Sequence, residues 1–338
     1  MMSEFSKQKK ILFVLIILLI AGILFSMGLG HYPIRLQDAF GIIMNKWIQI
    51  EPWWTMTQEA LLLNHRLPRI LIACLVGCCL SAAGASYQAA FQNPMAAPDL
   101  LGASSGAAFG AALAIYLRLG SSMILLFAFL FSLLCVGLVL GTGKSSRGNQ
   151  VMSLVLAGMM ISSLFSSGTS FIKLIADTND QLPAITYWMM GSFSAASMKD
   201  VLFALVPMSA GLLCLLFIRY QLNLLTLSDD ESMTMGVSTK LVRVLVVFCS
   251  TLITAASVSV SGMIGWVGLV IPHLVRKLTG SNMQYLLPSS MILGAFFLLM
   301  VDNLSRCLLM SEIPIGILTS FVGAPFFLIL MIRKGDVE

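Results

Sequence analysis

Charged residues are scarce in this sequence of 338 residues. Asp, Glu, Lys and Arg make up 10% of it and hydrophobic residues 58%, whereas soluble globular proteins contain about 25% charged residues. This balance excludes a soluble protein. The net charge of +5 is scattered among apolar segments, so the sequence also lacks the continuous basic face that binding to nucleic acid requires.

Residues that commonly bind metal ions are equally scarce. The three histidines, His31, His65 and His273, lie far apart, and the seven cysteines stand mostly inside apolar stretches without metal-ligand spacing. We interpret the cysteines as small hydrophobic core residues. The sequence therefore predicts no metal ion and no cofactor bound to this chain.

A nucleotide-binding loop is also missing. Gly141-Thr-Gly-Lys-Ser-Ser146 looks like the end of one, but the motif needs a second glycine where Leu138 stands. An apolar run, and not a β-strand, precedes the segment. We interpret it as a basic cytoplasmic loop, so ATP and its Mg²⁺, if used, must be bound by a partner subunit.

Long apolar runs dominate what is present. A membrane-spanning helix needs about 20 apolar residues. Eight clear runs qualify, and two weaker ones bring the total to about ten. The sequence thus predicts an all-α polytopic membrane protein with a single transmembrane domain over residues 1–338. The clear runs are 11–30, 66–91, 121–141, 151–173, 199–218, 241–262, 284–305 and 312–332, and the weaker ones are 96–117 and 263–278.

Basic residues set the predicted orientation. With a cytoplasmic amino terminus, Lys and Arg are modestly enriched on the inside, and both termini lie in the cytoplasm. Residues 219–240 then form a cytoplasmic loop and residues 31–65 an external segment. The external segment contains the amphipathic stretch Ile34–Trp47, which favours a helix lying at the membrane interface.

Ionisable residues are nearly absent from the middle of the spans. Carriers driven by ion gradients usually place such residues at mid-membrane depth, whereas Asp302 and Arg306 lie near one end of their run. This pattern disfavours a stand-alone secondary carrier, which is the alternative from another functional class.

Two arginines stand at the start of a span. Arg66 and Arg69, three residues apart in His65-Arg-Leu-Pro-Arg-Ile70, share one face if the segment is helical. They could bind carboxylates of a partner protein or reach lipid phosphates. The residues alone leave both interpretations open.

The loop 219–240 carries the signals of a short helix. Ser228 is a suitable N-cap, the acidic run Asp229-Asp-Glu231 favours the positive end of a helix dipole, and Gly236 is a natural stop. By themselves these residues predict only a capped helix outside the membrane.

Serine recurs every four residues in the run 151–173. Ser162, Ser166 and Ser170 therefore lie on one face of a helix. We hypothesise that this face lines a translocation path, with close helix packing as the alternative.

Four motifs, taken together and in this order, resemble the permease family of type II ABC importers for iron chelates, haem and cobalamin. They are the Arg-Leu-Pro-Arg start at 66–69, Asn-Pro-x-Ala-x-Pro with Leu-Leu-Gly and Ser-Ser-Gly-Ala at 93–107, Gly-x-x-Gly-x-Val-Gly-Leu-x-x-Pro-His-x-x-Arg at 262–276, and Glu-x-Pro-x-Gly-x-x-Thr-x-x-x-Gly-x-Pro-x-Phe at 312–327. Departures are small: Met95 stands where Leu is usual and Trp266 where Phe is usual.

The resemblance implies a fold, partners and a cargo. The fold is the type II importer permease of about ten spans, located in the cytoplasmic membrane of a prokaryote. The partners are a second permease copy or close paralogue, two cytoplasmic ABC ATPase subunits and an external substrate-binding protein. The expected cargo is an iron(III)-siderophore, with cobalamin, haem or an oxyanion such as molybdate as alternatives.

The resemblance also implies roles for individual residues. Arg66, Arg69 and Arg306 would dock the external binding protein. Asn93 and Met95 would form a cytoplasmic gate. The helix in the loop 219–240 would couple to the ATPase through Ser228, Asp229, Asp230, Glu231, Met233 and Gly236.

Overall fold

The computed structural model describes residues 2–30, 32–46, 48, 50–143, 150–225, 229–309 and 311–335. All regular elements in these ranges are helices. A π-helical turn at Leu62–Arg66 joins α3 to α4, and a 3-10 turn at Pro98–Leu101 precedes α5. The helices are α1 (Met2–Gly28), α2 (Leu36–Asn45), α3 (Met56–Leu61), α4 (Leu67–Ala90), α5 (Ala103–Tyr116), α6 (Ser121–Gly143), α7 (Gln150–Ile175), α8 (Gln181–Met190), α9 (Met198–Phe217), α10 (Arg219–Leu224), α11 (Asp229–Thr234), α12 (Thr239–Ser261), α13 (Val267–Thr279), α14 (Met283–Cys307) and α15 (Ile315–Gly335).

Seven helical segments of the described chain are long and apolar enough to cross a membrane. They match seven of the eight clear runs in the sequence, and the eighth, 312–332, forms α15. The prediction of an all-helical, multi-pass membrane protein is confirmed. The seven segments are Lys7–Gly28, Met56–Ala90, Ser121–Thr142, Met152–Ile175, Met198–Phe217, Thr239–Ser261 and Met283–Cys307.

The two weaker candidate spans are shorter helices than the hydropathy indicates. The run 96–117 becomes helical only at Ala103, because the 3-10 turn intervenes and Gly102 adopts a left-handed φ of 78°. The run 263–278 becomes helical only at Val267, after Gly262 and Trp266, which also have positive φ. Gly102–Gly106 matches the Gly-x-Ser-x-Gly spacing of hydrolases, but a helical turn, and not the required strand, precedes it.

Helix α4 is the centre of the bundle and packs closely on α12, α13 and α14. Glycines make this approach possible. A Cβ atom on Gly84 would lie 1.8 Å from the carbonyl oxygen of Gly268 on α13, and one on Gly77 would lie 2.2 Å from that of Gly294 on α14. The backbones of these helices therefore touch at positions where no other residue fits.

Replacing Gly84 with alanine is expected to destabilise the protein by about 1–3 kcal/mol, because the added methyl group overpacks the contact of α4 with α13. Gly137→Ala is the matched control, since a Cβ atom there meets nothing within 4 Å. Thermal unfolding of both variants in detergent tests this. Equal melting temperatures for the two variants would contradict the close approach at Gly84.

The segment predicted to lie at the membrane interface contains a helix, α2. Its inward face buries Ala39 and Ile42, and its other face exposes Leu36, Phe40 and Met44, which recur every four residues. The helix expected within Ile34–Trp47 is therefore present over Leu36–Asn45, whereas Trp47 lies outside the described residues and a position at the membrane interface stays a prediction.

Candidate functional site

The three predicted docking arginines come together at one end of the bundle. Arg69 Nε donates to Asp302 Oδ1 at 2.8 Å, and its Nη1 donates to Glu312 Oε1 at 2.7 Å. Arg306, one helical turn after Asp302 on α14, places its Nε 3.6 Å from Asp302 Oδ2. Arg66 lies in the π-helical turn beside Arg69. We call Arg66, Arg69, Asp302, Arg306 and Glu312 the arginine cluster.

Backbone and side-chain acceptors on α1 and in the segment just after it hold the guanidinium groups of Arg66 and Arg306. Arg66 Nη1 donates to the carbonyl oxygen of Met27 at 2.7 Å, and its Nη2 donates to the carbonyl oxygen of Tyr32. Arg306 Nη2 donates to Ser26 Oγ at 2.6 Å. The arginine cluster thus joins α1, α4 and α14 to the segment that precedes α15.

The arginine cluster is largely buried inside the bundle. Arg66, Arg69 and Arg306 are 5%, 8% and 7% exposed, and Asp302 is fully buried. Glu312 is the member nearest to solvent, with 34% of its side chain exposed. Three guanidinium groups face two carboxylates, so one positive charge is in surplus. Docking of an external protein by these arginines stays a prediction, and in this conformation their side chains turn inward.

Asp302 and Glu312 are members of the cluster to which the sequence analysis gave no role. The spacing of Asp302 and Arg306, four residues apart on a helix, is a local signal for an ion pair. The contacts of Arg69 have no such signal, because 233 and 243 residues separate it from its two acidic partners.

The residues predicted to form a cytoplasmic gate lie in the turn after α4. Asn93 Oδ1 accepts a hydrogen bond from the backbone N–H of Met95 at 2.9 Å, which is an Asx turn. Both side chains are exposed. Gln92, with a positive φ of 49°, donates from Nε2 to the carbonyl oxygen of Leu225 at 2.8 Å. This turn is therefore bound to the loop that leads to α11, and its gating role stays a prediction.

The predicted helix of the loop 219–240 is α11. It begins at Asp229, and the N–H of Val237 donates to the carbonyl oxygen of Ser232 at 3.2 Å around Gly236, whose φ is 78°. This is the Schellman arrangement that ends a helix at glycine. Ser232 Oγ also donates to the carbonyl oxygen of Leu224 at 2.7 Å, which fixes α11 to the end of α10.

Not every residue predicted for coupling can be placed. Glu231 is exposed on α11. Ser228 lies outside the described residues, as do the side chains of Asp229, Asp230 and Met233. The contribution of these residues to coupling stays a prediction.

The serine face of α7 divides into a packed and an open part. Ser162 is half-buried against the turn before α5, where a Cβ atom on Gly102 would lie 2.1 Å from Ser162 Oγ. Ser166 and Ser170 are exposed, and Ser170 Oγ donates to the carbonyl oxygen of Ser166 at 3.0 Å. Ser162 thus takes part in helix packing, Ser166 and Ser170 are exposed, and the role of all three in a translocation path stays a prediction.

Comparisons with known proteins agree with one another. A family model described as the FecCD transport family matches residues 18–333. The molybdate import system permease protein MolB of Haemophilus influenzae is 40% identical over 336 residues, 97% of this chain and 98% of that protein. A probable iron chelatin transport system permease protein of Helicobacter pylori is 43% identical over 277 residues, 82% of this chain and 84% of that protein. A solved inward-facing structure assigned to the metal-chelate type of ABC transporter superimposes with a TM-score of 0.86 at 38% identity, covering 96% of this chain and 99% of that chain.

Proposed function

Because this chain belongs to the FecCD transport family, we propose that it is the permease subunit of an ATP-driven importer that carries an iron(III)-siderophore. An external binding protein delivers the cargo, a second permease copy completes the path, and two cytoplasmic ATPase subunits supply the energy. The observation that carries the proposal is the position of α11, a capped helix fixed to the end of α10 and linked through Leu225 to the turn that holds Asn93 and Met95.

This linkage gives a physical route from ATP to the gate. An ATPase subunit that closes on ATP moves α11, and Ser232 transmits the displacement to Leu224. The neighbouring carbonyl of Leu225 holds Gln92, so the same displacement reaches the turn at the cytoplasmic end of α4. Asn93 and Met95 then move with that turn and change the width of the exit.

The open part of the serine face suits a bulky cargo. Hydroxyl groups at Ser166 and Ser170 offer weak, uncharged hydrogen bonds, whereas charged groups would hold a polar chelate tightly. A cargo can therefore pass without a deep energy well. Affinity and selectivity reside in the external binding protein.

Reversing the acidic charges of α11 tests the coupling step. In a variant with Asp229→Lys, Asp230→Lys and Glu231→Lys, we expect weaker co-purification of the ATPase subunits and loss of cargo-stimulated ATP hydrolysis, because the change reverses the charge that α11 presents to its partner. Glu51→Lys, an exposed reversal in the external segment, is the control and should leave both unchanged. Full coupling in the triple variant would count against α11 as the coupling helix.

Molybdate is the second candidate cargo. The relative named for molybdate matches nearly the whole of both chains, whereas the relative named for iron chelatin matches 82% of this one. Uptake by proteoliposomes that hold the permease, its ATPase and the loaded binding protein decides between them. Labelled ferric siderophore, molybdate, haem and cobalamin are supplied in turn. Accumulation of the siderophore alone supports the proposal, and accumulation of molybdate instead overturns the cargo while leaving the importer intact.

A further inference from the structure

A cavity of about 570 Å³ lies at the end of the bundle remote from α11. Its walls come from the first turn of α6, from α8, from the start of α9 and from the end of α12. Three of these helices, α6, α9 and α12, belong to segments long and apolar enough to span a membrane. The cavity therefore lies where the apolar slab ends and lipid headgroups begin.

One cation and two carboxylates face this cavity. Arg118 lines it from the end of α5, and Asp180 and Asp200 line it from the starts of α8 and α9. No ion pair within the described residues joins Arg118 to either carboxylate. The opposite charges thus stand apart, and the cavity can receive a ligand that itself carries both signs.

Arg118 occupies a conformation that favours glycine. Its N–H donates to the carbonyl oxygen of Ile115 at 2.9 Å, and that of Leu119 donates to Ala114 at 3.0 Å, so Arg118 is the left-handed residue of a Schellman motif, with a φ of 54°. A non-glycine residue there costs about 1–3 kcal/mol. A contact between the Arg118 guanidinium group and a bound ligand would offset this conformational cost.

Asp180 also lies at a position where its side chain lacks the usual local hydrogen bond. It is the N-cap residue of α8, yet its side chain makes no capping hydrogen bond, although an aspartate there usually does. Gln181, buried beside it, holds α8 against the end of α5 by donating to the carbonyl oxygen of Tyr116 at 3.0 Å. This contact fixes the positions of Asp180 and Arg118 relative to each other.

Neutral groups complete the cavity and connect it to the bilayer. Tyr187, Ser192 and Ser194 contribute a row of hydroxyl groups, with Ser192 Oγ donating to Ser194 Oγ at 3.1 Å. Ile124 and Leu125 line its apolar side.

Apolar side chains are exposed deeper along the same helices. They are Leu130 on α6 and Leu202 and Val206 on α9, and they fit the acyl chains of a membrane lipid.

We propose that this cavity binds the headgroup of a phospholipid that carries a phosphate and a primary ammonium group, as phosphatidylethanolamine does. Arg118 donates to the phosphate, and Asp180 accepts from the ammonium group together with Oδ1 of Asp200, whose Oδ2 accepts from the N–H and hydroxyl groups of Ser197. The hydroxyl groups that line the cavity contact the glycerol oxygens. The acyl chains lie along the exposed faces of α6 and α9. The bound lipid braces the contact between α5 and α8.

Native mass spectrometry of the full chain in detergent, with equal amounts of dioleoyl phosphatidylethanolamine, phosphatidylglycerol and phosphatidylcholine, tests this. We expect the ethanolamine lipid to be retained preferentially, and Arg118→Gly and Asp180→Asn each to weaken that retention about tenfold, because each removes a charge-assisted hydrogen bond. Arg118→Gly also relieves the left-handed strain, so the variant should fold at least as well. Lys240→Gln, which removes an exposed charge at the start of α12, is the control.

The other outcomes overturn the proposal in identifiable ways. Equal retention of the three lipids, or unchanged retention by Arg118→Gly, would exclude a headgroup site in this cavity. Stronger retention of phosphatidylglycerol would exclude the ammonium contact. If millimolar glycerophosphoethanolamine displaces the lipid and protects the protein from heat equally well, the ligand is a soluble compound and not a lipid.

Discussion

Replacing Asp302 with asparagine should destabilise the protein by about 3–5 kcal/mol, the usual cost of removing one partner from a buried ion pair. Asp302 is fully buried and is the carboxylate that Arg69 and Arg306 share. Without it, Glu312 alone faces three buried guanidinium groups. The thermal unfolding temperature of the purified variant in detergent measures the effect.

Two further variants test whether the lost stability comes from the buried ion pairs of Asp302. Asp177→Asn removes an exposed carboxylate and should leave the unfolding temperature unchanged. The double variant Arg69→Met, Asp302→Leu should not recover the lost stability, because it also removes the partner of Glu312 and leaves Arg306 without Asp302. An unfolding temperature for Asp302→Asn equal to that of the parent would show that the arginine cluster is not a structural joint.

Replacing Ser166 with phenylalanine should reduce cargo uptake to the background measured without ATP. The ring would project from the open part of the serine face into the proposed path, where the hydroxyl is exposed. Assembly and ATP hydrolysis should persist, because the side chain of Ser166 is exposed. Uptake and hydrolysis are measured in the same proteoliposomes.

Leu164→Phe is the matched control for Ser166→Phe. It places the same phenylalanine ring on the same helix but about 160° around its axis, at 100° per residue, and Leu164 is likewise exposed. Uptake should be unchanged in this variant. Normal uptake by Ser166→Phe, or equal inhibition by both, would show that the serine face does not line the path.

Local signals in the sequence predict much of the fold. Apolar runs of sufficient length locate the spans, and α11 lies where Gly236 and the acidic run place it, because caps act through neighbouring residues. The weaker spans are less well predicted. Hydropathy gives no information on where a helix starts, and the left-handed Gly102 and Trp266 shorten α5 and α13.

Contacts between distant residues were not predictable in the same way. No residue near Arg69 in the sequence indicates its ion pairs, because its partners Asp302 and Glu312 lie on other segments. The link from Gln92 to Leu225 spans 133 residues. Which helix faces meet depends on the packing of the whole bundle, so residue spacing alone cannot give it.

The most direct test of the central claim, that this chain is a permease driven by a partner ATPase, is the energy requirement of uptake. Proteoliposomes with the permease, the ATPase and the loaded binding protein are compared with ATP inside, with ADP inside, and with ADP and an imposed proton or sodium gradient. Accumulation of cargo only with ATP, unaffected by ionophores, is the expected result. Accumulation driven by an ion gradient without ATP would contradict it and indicate a secondary carrier.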